Sequence, residues 1–131
     1  MSNITSLQIG QNKIQMESTP DYENGVQVPL VINEEVLFTP TADGFLQYTL
    51  TSTCKVHMDT NQTLYSGDVT AYIKINNANV VYFQSAIGKV AITNSGILKV
   101  KKLDAVKIRG TGIDSSWLNF NTNNVVFYPC K

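Results

Sequence analysis

Residues 45–58 read FLQYTLTSTCKVHM, the longest unbroken apolar/polar alternation in the chain. Leu46, Tyr48, Leu50, Cys54, Val56 and Met58 fall on one face, with Ser52 as its one small polar member. Gln47, Thr49, Thr51, Thr53, Lys55 and His57 fall on the other. A period of two with β-branched threonines outside predicts a half-buried strand. At ~3.3 Å per residue it would span about 45 Å, far longer than an average strand, so a bend or bulge is expected near Ser52. A chain built around such a strand needs partners on both edges and a second layer over its apolar face.

The rest of the sequence supplies them. Candidate strands follow at 26–32, 35–39, 68–75, 78–84, 89–93, 96–101, 104–110, 117–120 and 124–129, each bounded by Gly, Asn, Asp or Pro. Asn76-Asn77 reads as a two-residue hairpin turn, because Asn tolerates left-handed backbone angles. Asn94-Ser95-Gly96 reads as another turn. Pro29 marks an edge strand or bend, since it cannot donate a ladder hydrogen bond. No helical period lasts longer than one turn. The expectation is all-β, an antiparallel sandwich of about 8–10 strands over residues 26–131. Residues 1–25 form an N-terminal arm that either adds an edge strand or reaches a partner.

Composition narrows the function classes. Charged residues make up only 15% of the 131, and ten basic and ten acidic side chains cancel. No long-range field steers nucleic acid or an anionic membrane onto such a chain, and Lys99, Lys101, Lys102, Lys107 and Arg109 read as a solvated strand face. No apolar run reaches the ~18 residues of a membrane span. The start, MSNITSLQIGQNKIQM, has neither the basic nor the apolar part of a secretory signal, which points to assembly in a cytoplasm.

Reactive residue types do not assemble into a catalytic set. His57, the single histidine, lies three positions from Cys54 and therefore on the opposite strand face, out of reach of a thiolate–imidazole pair. A serine triad would need that same imidazole, and no Gly-x-Ser-x-Gly elbow is present. The acids are scattered singly, apart from Glu34-Glu35, which alternation separates, so a glycosidase pair is not expected. Asp59, Asn61 and Asp68 offer oxygen atoms, but without the spacing of a calcium loop they read as turn chemistry. Gly110-Thr111-Gly112 is too short for a phosphate loop and reads as a turn. Cys54 and Cys130 match neither a zinc set nor a disulfide framework, and read as two free thiols. The chain is therefore expected to be no enzyme and to need no cofactor or metal.

The order of several short motifs carries a family likeness. Thr39-Pro40-Thr41-Ala42-Asp43-Gly44-Phe45-Leu46 leads into the long strand. Residues 69–80, VTAYIKINNANV, form a hairpin, and GILKVKKLDAVKI (96–108) a strand, turn and strand. Asn124-Val125-Val126-Phe127-Tyr128-Pro129 closes the chain. This succession resembles the jelly roll of complement globular heads and tumour-necrosis-factor-like domains, in the small form found in phage fibre tips and on virion surfaces. Leu103 departs from it, standing where a glycine is usual.

The resemblance implies a homotrimer with the terminal and long strands near the three-fold axis. Phe45, His57 and Tyr128 are the residues expected at that interface, with Val126 as the alternative to Tyr128. It further implies a non-enzymatic phage structural protein, either a capsid decoration or a fibre-tip module. Such a protein would sit on the virion surface after assembly in the bacterial cytoplasm, with its arm contacting other virion proteins. A carbohydrate-binding module for host-surface glycans is the alternative, using exposed Trp117 with Asp114 and Asn61.

Overall fold

The computed structural model describes residues 18–53, 70–85, 91–114, 119–120 and 122–131. Among the described residues, ten strands follow a 3-10 turn, Tyr22–Asn24. They are β1 (Val26–Gln27), β2 (Val36–Phe38), β3 (Gly44–Thr53), β4 (Ala71–Ile75), β5 (Ala78–Phe83), β6 (Ala91–Val100), β7 (Val106–Arg109), β8 (Ile113–Asp114), β9 (Asn119–Phe120) and β10 (Asn124–Pro129). Sheet I has the order β1-β10-β3-β6 and sheet II the order β2-β7-β4-β5, with β8-β9 as a small separate ribbon. Every pairing is antiparallel.

The two sheets stack through the residues that alternation assigns inward. Leu46, Leu50, Val100, Val125 and Phe127 of sheet I meet Ala71, Ile73, Val106 and Ile108 of sheet II in one core. Leu46, Leu50, Ile73 and Ile108 are wholly buried, each worth roughly 1.5–3 kcal/mol of burial. Phe38 of β2 and Phe127 of β10 tie the layers together, ring centroids 5.5 Å apart. The result is an all-β sandwich, as the strand periodicity predicts.

Three local expectations change. Asn94-Ser95-Gly96 is no turn: β6 runs through it, pairing Asn94, Ser95 and Gly96 with Leu50, Thr49 and Tyr48. The glycine is there because the Tyr48 ring fills the space a Cβ at position 96 would take, its hydroxyl 2.6 Å from that point. Nor is there a bulge at Ser52, since the β3–β6 register is continuous from Gly44 to Thr53. Thr51 and Thr53, expected in solvent, are buried. A layer of loop residues covers them and satisfies their hydroxyls.

The Asn76-Asn77 turn agrees with the structure. Asn76 and Asn77 take left-handed φ values of 51° and 70°, closing the β4–β5 hairpin. That hairpin is irregular: Ile73 faces Val81 but Lys74 faces Asn79, leaving Val80 bulged out of the β5 edge. The part of the N-terminal arm that is described folds back as an edge. Val28 and Asp21 donate their N–H groups to Val125 and Pro129, and Lys131 donates to Thr19.

Candidate binding faces

Three places concentrate polar or exposed side chains: one loop end of the sandwich and the two outer sheet faces.

The loop end is a closed network of amides and hydroxyls. Thr51 N–H donates to Asn123 Oδ1 at 2.9 Å, and Asn123 Nδ2 donates to Thr111 O at 3.1 Å. Thr53 N–H donates to Thr111 Oγ1 at 2.8 Å, and Thr51 Oγ1 donates to Thr122 O at 2.7 Å. Asn33 bonds both backbone groups of Gly112, and Asn123 leans over Gly110, where a side chain would collide with it. Gly110-Thr111-Gly112 is therefore a backbone rail clamped by two asparagines. Among the described residues its amides and hydroxyls satisfy one another, so the network holds this end of the sandwich together.

On the outer face of sheet I the strands carry one charge, Lys99, and the turn over them adds Asp21 and Glu23. Register places Asn124, Val126 and Tyr128 of β10 beside Thr49, Gln47 and Phe45 of β3, and these beside Ser95, Ile97 and Lys99 of β6. The 3-10 turn lies on this face, with the Tyr22 ring edge-on to Tyr128 at 4.8 Å. Asp21 caps that turn by accepting from Glu23 N–H. Between the turn and β6 is an open depression of about 470 Å³, lined by Tyr22, Gln47, Tyr48, Thr49, Ser95, Gly96 and Ile97. Tyr22 is 62% exposed and Ile97 50%, two apolar walls around a floor of amide and hydroxyl groups.

The outer face of sheet II is different. Lys74 and Lys107 sit directly opposite each other on β4 and β7, next to Tyr72 and Arg109. Tyr72 and Tyr82 lie nearly parallel with centroids 6.3 Å apart, and Lys74 Nζ sits 4.6 Å above the Tyr72 ring. The Tyr72 hydroxyl donates to Glu35 Oε1, and Lys107 Nζ donates to Asn77 Oδ1. Leu37 and Tyr82 are more than half exposed at the two edges.

A fourth feature is a polar corner rather than a site. Asp104 accepts from Lys101 N–H and from Asn76 Nδ2, and these bonds hold its carboxyl below the usual carboxylate range, the backbone bond contributing most. Leu103, in the same turn, takes φ 71° and is 71% exposed. The turn is as tight as one with glycine there: Asp104 N–H reaches Lys101 O at 3.0 Å.

Of the residues expected at an interface, Tyr128 lies half-buried on the outer face of sheet I. Phe45 lies on the same face, as alternation requires, but is only 8% exposed. Its own chain already covers it, so it has little area left to offer. Asp114 is in β8, paired with Asn119. His57, Asn61 and Trp117 lie outside the described residues, as does Cys54, while Cys130 is a half-buried free thiol. Among the described residues no three His, Cys, Asp or Glu side chains gather as a metal set.

Sequence reading did not single out Tyr22, Gln47 and Ile97, or the pairing of Lys74 with Lys107. Tyr22 sits in a polar segment, and the lysines are paired only by the strand order of sheet II. No protein-family model, no curated protein and no solved structure matches the chain.

Proposed function

We propose that this chain is a non-enzymatic structural protein of a phage virion, a capsid decoration or fibre-tip module, that assembles as a homotrimer through the outer face of sheet I. The observation that carries the reading is the asymmetry between the two outer faces. The strands of sheet I present one charged residue, Lys99, near an uncharged depression walled by Tyr22 and Ile97. Those of sheet II present Lys74, Lys107 and Arg109. Interface centres lose charges and gain tyrosine, so the face whose strands carry the fewest charges is the one to bury against copies of this chain, with Asp21 and Glu23 of the turn at its rim, and the more cationic face stays in water. Tyr128 lies on the burying face, with Phe45 beside it on β3.

A jelly roll, and with it the trimeric family likeness, is supported by the way the chain alternates between layers. It passes from β1 in sheet I to β2 in sheet II, back to β3, across to the β4–β5 hairpin, then to β6, β7 and finally β10. The virion assignment rests on that likeness and on the neutral, amide-rich surface.

Size exclusion with light scattering tests the assembly. A mass about three times 14.5 kDa is expected; a clean monomer overturns it. Ile97→Glu, exposed and thus harmless to the monomer fold, is expected to release monomers with an unchanged far-ultraviolet spectrum. Mass spectrometry of purified particles tests the virion assignment, and its absence from them would remove it.

A further inference from the structure

We propose that the outer face of sheet II binds an anionic glycan, with Tyr82 and Tyr72 as the stacking platform and Lys74 and Lys107 as the anion-binding pair. Two independent observations lead there. The first is the like-charge pair. Lys74 and Lys107 are direct cross-strand neighbours on one face, an arrangement that repels. Among the described residues neither charge is paired with an acid: Lys74 rests on the Tyr72 ring, and Lys107 donates to the neutral amide of Asn77. Glu35, the carboxylate on this side, accepts from the Tyr72 hydroxyl. An anion bridging the two ammonium groups converts the repulsion into two charge-assisted contacts.

The second observation is the tyrosine pair. Tyr72 is buried, pinned by the Glu35 bond on one side and the Lys74 ammonium above it. Tyr82 stacks against this fixed ring at an interplanar angle of 20° yet remains 55% exposed. A rigid, half-exposed ring beside a cationic pair matches a sugar ring bearing a carboxylate or phosphate, the ring contributing apolar contact and the lysines charge.

A glycan fits better than nucleic acid. Polynucleotide binding draws on many phosphate contacts, whereas this face offers three cations on a chain of zero formal charge. The inference does not depend on the trimer, because it uses the opposite face, and light scattering is blind to it.

The test is titration calorimetry on the full chain with four probes: an oligouronate, an oligo(glycerol phosphate), a neutral dextran oligomer and oligothymidylate. Binding to one or both anionic sugars is expected, weakening as salt rises; which one binds identifies the carboxylate or phosphate source. The double variant Lys74→Gln/Lys107→Gln and the single variant Tyr82→Ala are each expected to weaken binding about tenfold or more. The lysine variant should melt at the same or a higher temperature than the parent, since a repulsion is removed, so lost binding will not reflect lost folding. Failure of both anionic probes to bind, undiminished binding by the lysine variant, or equal affinity for neutral dextran overturns the proposal. Binding of oligothymidylate alone overturns it in favour of nucleic acid.

Discussion

Asn33 grips Gly112 by both of its backbone groups, its Nδ2 donating to the carbonyl at 3.3 Å and its Oδ1 accepting the N–H at 3.0 Å. The same residue holds φ 68°, a left-handed angle that asparagine tolerates better than other non-glycine residues. One side chain thus sets both the bend after β1 and the path of the rail after β7. Asn33→Gly keeps the angle and loses the two bonds, for an expected cost of about 1–2 kcal/mol. Asn33→Ala loses the bonds and strains the angle, costing about 1 kcal/mol more. Urea denaturation of the two variants separates the contributions, and equal losses would show that the angle carries no strain.

Thr111→Val is nearly isosteric but takes away the hydroxyl that accepts from Thr53 N–H and meets Thr53 Oγ1. Both groups are buried, so their loss of a partner is expected to cost about 1–3 kcal/mol. Thr93→Val, at the exposed end of the same network, is expected to cost less than about 0.5 kcal/mol. Thermal melts of the pair check this, and similar losses would mean that burial is not the deciding factor.

Leu103 occupies a left-handed angle without making use of its side chain, which is 71% exposed. Leu103→Gly relieves roughly 1–2 kcal/mol of backbone strain and gives back part of it in unfolded-chain entropy. A net gain of about 0.5–1 kcal/mol is expected, read as a higher urea midpoint. A loss would mean that the leucine is held by contacts in the assembled protein.

Asp104 carries a pH dependence of known sign. Its folded-state pKa is lowered, chiefly by the Lys101 N–H bond and then by Asn76. Its contribution is therefore present in full above the ordinary carboxylate value and disappears as pH falls through the lower folded one. An NMR titration of its carboxyl carbon is expected to give a midpoint below 3.8. The stability difference between the parent and Asp104→Asn should shrink as the solution is acidified through that range. A midpoint at or above the ordinary value would show that the two bonds are not maintained in solution.

What could be read from the sequence was whatever depends on near neighbours. Alternation alone places Leu46 and Leu50 in the core, and Asn76-Asn77 declares its turn through the angles asparagine tolerates. Gly96 misleads because its reason, the Tyr48 ring, belongs to another strand. Thr51 and Thr53 look like solvent residues because the groups that bury and satisfy them, Asn123 and Thr111, are 72 and 58 positions away. The candidate faces follow the same division. Alternation puts Phe45 on the outer side of sheet I, but its cover depends on how the chain returns over it. Lys74 and Lys107 become neighbours only once β4 and β7 pair.

The bulge at Val80 governs how this molecule can meet others. Among the described strands β5 is a border of sheet II. A foreign strand docking there would keep step from Phe83 to Val81 and then lose registry, because one extra residue has been inserted before Asn79. Runaway growth of fibrils by strand addition is thereby broken within three residues of its start. A particle displaying many copies at high local concentration would need such a safeguard, since it lets molecules crowd face to face without fusing their sheets.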